Sequence, residues 1–461
     1  SNFHEKTIIT SVPAGARNRT LAASVLLRRM DSLCNPRWVP AQVERRMEDW
    51  RRSAGEWSHR APRFTARAQR HREKAYDRAL RTVERQLQHA SPSDSARTRH
   101  SLIASFARFA AEAMDLGPQA VDLLTGGFFP AAIHLAQWAR RFDPDLSQAG
   151  IVQATRNAWT ACGLQPLLGA RLGLTPAILG YSLIYPYSDN FLDQKSISRE
   201  QKQRFAERFG RRLRGELIPP ANDREASLWQ LVSLIERQFP RPLYPEVYAA
   251  LLAIHRAQGE SVQQLGAAET IEHDELLRIT CAKGGTSVLA DAYLVHGSLT
   301  AQQAEFAFAW GVLLQLGDDL QDIGEDLQRG SLTLFTRAVR AGCPLDGLVA
   351  QLLNFSEAVA AQLDALPHGD VFYRDLLRMS WRSLALMAVA QYPGFVTTEF
   401  AASLEAHSPF RFAFLRERRA RLSGQTGLFD RLFQLILEDP VEDQPALLPD
   451  MAARAPQPIP A

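Results

Sequence analysis

Apolar residues recur three and four positions apart along nearly the whole chain, and alternating runs of the kind that form half-buried strands are hard to find. A chain with that period can bury its apolar stripes only by packing helix on helix, so the sequence predicts an all-α fold. Turn residues mark the joints, as in Leu116-Gly-Pro, Phe142-Asp-Pro-Asp, Gly173-Leu-Thr-Pro and Pro219-Pro-Ala-Asn. Asp143-Pro144 and Thr175-Pro176 have the form of a helix cap followed by an early proline. At 461 residues the chain exceeds the usual limit of a single core. An amphipathic stretch at residues 19–33 and a polar Arg/Glu-rich stretch over 42–89 end in Ala90-Ser-Pro-Ser-Asp-Ser. The expected division is a basic helical N-terminal extension over residues 1–100, a helical core over 101–435 and a Pro/Ala-rich disordered tail over 436–461.

Charge and cysteine content narrow the function classes. The net charge is only +3, yet the first hundred residues carry about twice as many Lys and Arg as Asp and Glu. A basic arm suits nucleic acid or an anionic membrane surface, but a solvated helical face is the commoner explanation, and no nucleic-acid partner is expected. Cys34, Cys162, Cys281 and Cys343 show neither C-x-x-C spacing nor a disulfide pattern, which points to a reducing, cytoplasmic location. No uninterrupted apolar stretch reaches the roughly 18–20 residues of a membrane span, and Ser1-Asn-Phe-His-Glu-Lys lacks the apolar core of a signal peptide. Peripheral membrane contact is the one membrane role left open.

The most informative segment is Gly317-Asp-Asp-Leu-Gln-Asp-Ile-Gly-Glu-Asp-Leu-Gln-Arg-Gly330, five acids in nine positions directly after an apolar run from Phe306. On a helix Asp318, Asp322 and Asp326 stack on one face at about 5–6 Å, where each like-charge pair costs roughly 0.2–0.5 kcal/mol, so a cation is expected there. Hard divalent ions such as Mg2+ take oxygen ligands, usually one or two carboxylates plus substrate phosphates. A second acidic pair, Asp189-Asn-Phe-Leu-Asp193, ends the apolar segment that starts at Leu179, and lies 129 positions before Asp318. One such pair is weak evidence; two, each closing an apolar helix, suit a substrate with a diphosphate head and a hydrocarbon tail.

In these motifs the chain resembles the class I isoprenoid synthases, the helical superfamily of prenyltransferases, squalene and phytoene synthases and terpene cyclases. Asp189 and Asp193 match the first aspartate motif in D-x-x-x-D form, closest to squalene and phytoene synthases and to large bacterial terpene synthases. Gly317-Asp318-Asp319-Leu-Gln-Asp322, followed by Glu325-Asp326, matches the second. Over roughly residues 101–425 the resemblance implies an isoprenoid-synthase-type helical bundle around a central apolar cavity. It implies three Mg2+ ions held with the diphosphate by Asp189, Asp193, Asp318, Asp322 and Asp326, with Asp319 and Glu325 as outer or solvent-facing acids. The implied activity is ionisation of an allylic prenyl diphosphate to a terpene, as a lyase or a transferase. Head-to-head condensation of the phytoene or squalene type and a non-catalytic lipid-binding role are the alternatives, and a homodimer is left open. The first motif departs from the D-D-x-x-D of chain-elongating enzymes, and no nicotinamide fingerprint supports a reductive second step.

The resemblance also implies roles for residues around the motifs. Lys283, in Cys281-Ala-Lys-Gly-Gly-Thr-Ser, resembles a diphosphate-binding lysine; the adjacent glycines, each costing about 1 kcal/mol in a helix interior, predict a break there, the alternative being a close helix crossing. Tyr185 and Trp310, a turn or two before the acidic motifs, are candidates to line the cavity and stabilise a cation, although a plain core role is commoner for any one aromatic. Arg156, Arg329, Arg337 and the cluster Arg411, Arg416, Arg418 and Arg419 are candidate phosphate ligands. His273-Asp274 lacks the partner spacing of a metal-dependent phosphohydrolase.

Overall fold

The computed structural model describes residues 33–57, 61–89, 95–194, 196–264, 271–423 and 426–437. Among them the chain is 78% helical and contains no strand, as the 3.6-residue period predicted. The stretch at 19–33 falls almost wholly outside the described residues, as does the tail from 438 on.

In chain order the helices that matter for the site are α1 (Trp38–Arg52), α2 (Ala66–Gln88), α3 (Ser95–Glu112), α4 (Pro118–Leu123), α5 (Phe129–Phe142), α6 (Gln148–Leu164), α7 (Pro176–Asp193), α8 (Arg199–Leu213), α9 (Asp223–Gln238), α10 (Pro245–Ser261), α11 (His273–His296) and α12 (Ala301–Gln321). They continue with α13 (Ile323–Arg329), α14 (Leu334–Arg340), α15 (Asp346–Asp364), α16 (Val371–Gln391), α17 (Thr398–Glu405), α18 (Phe412–Ser423) and α19 (Thr426–Leu437).

The centre is the antiparallel pair α11 and α12. Helix α11 is buried nearly all round, from Leu276 to Leu294, as an apolar helix without a polar face must be. The turn between the pair is capped on both sides: Gly297 closes α11 at φ 80, and Thr300 and Gln303 form a reciprocal capping box that opens α12. Helices α1, α6, α7 and α10 pack around α11, while α15 and α16 cover α12.

One sequence expectation changes here. The Gly284-Gly285 pair does not break α11, which runs through it without interruption. The glycines instead let two backbones touch: a methyl group at Gly311 would stand 2.1 Å from the Gly284 carbonyl oxygen, and one at Gly285 would stand 2.3 Å from Phe308. Tight crossing, not chain reversal, is what these positions require. Residues on both sides of the boundary expected near 90 share one buried cluster. Trp38 and Trp50 on α1 belong to the same buried cluster as α11 and α12, with Trp38 edge-on to Phe308 and Trp50 edge-on to Phe355. The acids of α2 are engaged as well, because Arg411 and α18 zip onto them through Arg411 to Glu73, Arg418 to Asp77 and Arg421 to Glu84. That accounts for most of the C-terminal arginine cluster, and Arg416 donates to the Ala390 carbonyl.

Candidate functional site

Helix α6 serves as a common ruler for the two acidic motifs. It runs antiparallel to α7, since Asn157 approaches Ser182 at 3.4 Å while a Cβ at Gly150 would meet Pro186 at 3.4 Å. It also runs antiparallel to α12, since Arg156 reaches Asp318 at 3.7 Å while Gly163 faces Trp310. The C-terminal ends of α7 and α12 therefore lie beside the N-terminal half of α6, at one end of the bundle. Pro186 sits inside α7 without ending it. Asp189 and Asp193 occupy the last turns of α7, but their side chains lie outside what the structure describes.

At the end of α12 the acidic run folds as two helices in near-continuous register. Asp322 ends α12 and precedes α13, and the amide of Asp322 donates to Asp318 at 2.8 Å while that of Asp326 donates to Asp322 at 2.9 Å. Glu325 and Asp326 fall in the first turn of α13, where a negative charge is favoured. Asp318 and Asp319 fall in the last turn of α12, where the helix dipole opposes them.

Burial adds to that cost. Asp318 keeps 47% of its side chain open to solvent but sits deep enough in protein that desolvation pushes its carboxyl up to about 6, against the pull of Arg156 and Lys283. Asp319 is only 8% exposed, and desolvation pushes it up to about 7. It accepts from Gln315 at 2.8 Å, and its other oxygen is buried with no hydrogen-bond partner. Asp319 is thus the innermost acid of the run, which leaves, of the two roles expected for it, the outer-ligand one and not the solvent-facing one. Asp322 and Asp326 are also shifted upward, first by desolvation and then by neighbouring acids. A cluster held this way needs a cation to be ionised cheaply.

Lys283 is half-buried on α11 and favours the ionised forms of Asp318, Asp319 and Asp326, so it faces the acidic end of α12. One turn on, Ser287 shares a 2.9 Å hydrogen bond with Tyr185, which pairs in turn with Tyr181 at 3.1 Å. Tyr185 therefore bridges α7 and α11 one turn inside Asp189. Trp310 is 4% exposed and packs against Phe306 and Trp381, with its indole N–H unpaired. Between α6, α12 and α16 these two tryptophans pack together, beside Tyr373, which donates to the Gly163 carbonyl at 2.6 Å.

Other candidates are placed elsewhere. Arg329 pairs with exposed Glu325 at 3.1 Å, Arg337 donates to the Ile271 carbonyl, and Asp274 pairs with Arg51 at 3.1 Å. Sequence reasoning missed Asp291, 1% exposed on α11, whose carboxyl is held well above the usual range by burial, with the Asn157 side chain pulling the other way. A lone acid inside an apolar helical stretch was the signal available.

Among the described residues no group of three or more His, Cys, Asp or Glu is placed to hold a metal ion by itself. The hard oxygen donors of Asp318, Asp322 and Asp326 suit Mg2+, with further ligands left to the α7 acids and to phosphate. Comparison with known proteins finds no matching family model, no similar curated protein and no similar solved structure.

A pH test follows from Asp319. Between about 4 and about 7 the folded chain keeps the Asp319 proton that the unfolded chain has lost, so this group makes stability fall as pH rises through that window and level off above it. Asp319→Asn, which can still accept from Gln315, should remove that fall, raising stability at pH 8 in EDTA by on the order of 2–4 kcal/mol relative to its effect at pH 4. Urea unfolding at the two pH values checks this; an equal effect at both would mean that Asp319 ionises freely.

Proposed function

We propose that this chain is a Mg2+-dependent terpenoid synthase of the class I kind, which ionises an allylic prenyl diphosphate with loss of diphosphate. One observation carries the reading: the desolvated acids Asp318, Asp319, Asp322 and Asp326 meet Lys283 and Arg156 at the same end of the bundle at which α7 carries Asp189 and Asp193. Asp189, Asp193, Asp318, Asp322 and Asp326 would hold the metal. Bound there, Mg2+ supplies charge neutralisation for the departing diphosphate.

The chain's own groups do the rest. Lys283, fixed on a helix that cannot slide because of its glycine crossing, offers an ammonium to the phosphate oxygens. Arg156 is 68% exposed and free to turn from Asp318 toward the same oxygens with its planar fork. Tyr185, held by Ser287, presents a ring beneath the head group. The packed aromatic interior around Trp310 keeps water from an allylic cation, and the hydrocarbon tail has to displace side chains there to enter.

The test is pyrophosphate release by the purified chain with Mg2+ and C10 to C30 allylic diphosphates. Release from at least one is expected, and none from any overturns the reading. Product size then separates the two chemistries: an unchanged carbon count marks a cyclase or lyase, a doubled count a head-to-head condensation.

A further inference from the structure

Two of the most exposed apolar side chains stand on neighbouring loops on the flank formed by α8, α9 and α10. Leu217, between α8 and α9, is 99% exposed, and Leu243, between α9 and α10, is 74% exposed. Single exposed leucines need no explanation, but adjacent ones on rigid loops do. Each is held stiffly by prolines, in Leu217-Ile-Pro-Pro and in Pro240-Arg-Pro-Leu243, so little ordering entropy opposes its use.

Arg241 ties the two loops together. It donates to the Leu213 carbonyl at 2.6 Å and the Arg212 carbonyl at 3.2 Å, lies 3.8 Å above the Tyr248 ring, and packs against Gly215, two residues from Leu217. Two grooves open on this flank, the second of them lined by Leu217 itself. The first groove is lined by Arg211, Arg214 and Arg256; the groove that Leu217 lines also holds Arg237 and Glu216, with Arg212 buried at its base against Glu236.

The acids of this flank are outnumbered. Glu216 is shared by Arg211 and Arg214, and Glu236 by Arg212 and Arg241; Glu207 is the acid in the first groove. Residues 199–244 contain ten Lys and Arg against six Asp and Glu, a surplus of four in a chain whose total is +3. The two leucines thus protrude from a segment of local positive surplus.

We infer that this flank docks on an anionic lipid surface, with Leu217 and Leu243 entering the headgroup layer and the surrounding arginines meeting lipid phosphates. Apolar insertion and basic attraction are each weak alone and reinforce one another at an anionic surface. The inference stands on exposure and charge and does not rest on the proposed reaction.

Vesicle flotation of the full chain tests it, with phosphatidylcholine vesicles and with vesicles in which a third of the lipid is phosphatidylglycerol. Binding to the anionic vesicles alone is expected, weakened by salt, and weakened about tenfold or more by the double substitution Leu217→Ser and Leu243→Ser. Val371→Ser, at a 73% exposed apolar site on α16, should leave binding unchanged. Circular dichroism melting confirms that each variant is folded. No binding to anionic vesicles, equal binding to both kinds, or unchanged binding by the double variant overturns the proposal. So does a wild-type dimer that the leucine changes dissociate without any vesicle binding, which would make this flank a protein interface.

Discussion

Asp318→Asn should cut Mg2+-dependent pyrophosphate release by about a hundredfold or more, the scale on which losing one charge-stabilising group acts in an active site. The substitution preserves shape and removes one negative charge beside Arg156 and Lys283. Its effect on stability should have the opposite sign. Burial holds the Asp318 carboxyl at about 6, so at pH 8 without metal the ionised group destabilises the fold, and the amide relieves it. A variant that loses activity while its melting temperature in EDTA holds or rises marks a residue kept for function. Glu325→Gln is the control. Glu325 is an exposed acid of the same run, paired with Arg329, and its loss should change the rate less than threefold or so. Full activity in Asp318→Asn, or an equal loss in Glu325→Gln, would show that the site is misplaced.

Gly311→Ala should destabilise the fold by about 3 kcal/mol or more. Helix propensity alone favours alanine by about 1 kcal/mol, so the sign itself is diagnostic. The new methyl group would stand 2.1 Å from the Gly284 oxygen and 2.8 Å from its carbonyl carbon. Overpacking a core costs roughly 1–3 kcal/mol when side chains can give way. Here the obstacle is backbone, so α11 and α12 must separate along much of their contact. Gly259→Ala makes the comparison, since Gly259 lies inside α10 with nothing within 4 Å of a new methyl group; it should stabilise by about 0.5–1 kcal/mol. Chemical unfolding of both variants checks the pair. A neutral Gly311→Ala would mean that the crossing is looser than the structure has it.

The uninterrupted helix at Gly284-Gly285 and the docking of residues 42–89 share a cause. Two glycines in a row weaken an isolated helix, and local reasoning therefore predicts a break. In the folded chain the lost propensity is offset by the close approach of Gly311, which is 27 positions away in sequence and invisible to any window. Similarly, residues 42–89 read as polar and peripheral because arginine and glutamate dominate them. Their few large apolar residues, Trp50 among them, turn out to anchor the segment in the common core, and Glu73 and Asp77 on α2 find their partners more than 330 positions downstream. Gln42 and Arg46, 5% and 2% exposed, are buried by the same docking.

What could be read from the residues alone was periodicity and chemistry: helices throughout, and acids spaced four apart at Asp318, Asp322 and Asp326. Both depend on neighbours within a turn or two, which the chain carries in order. Which acids face inward was decided only by tertiary structure. Asp319 and Glu325 look alike in the sequence, yet one is desolvated against Gln315 and the other lies in solvent beside Arg329. Burial and local field are sums over all surrounding elements, and here those elements are brought together from α6, α7 and α11, hundreds of positions of chain that no local pattern connects.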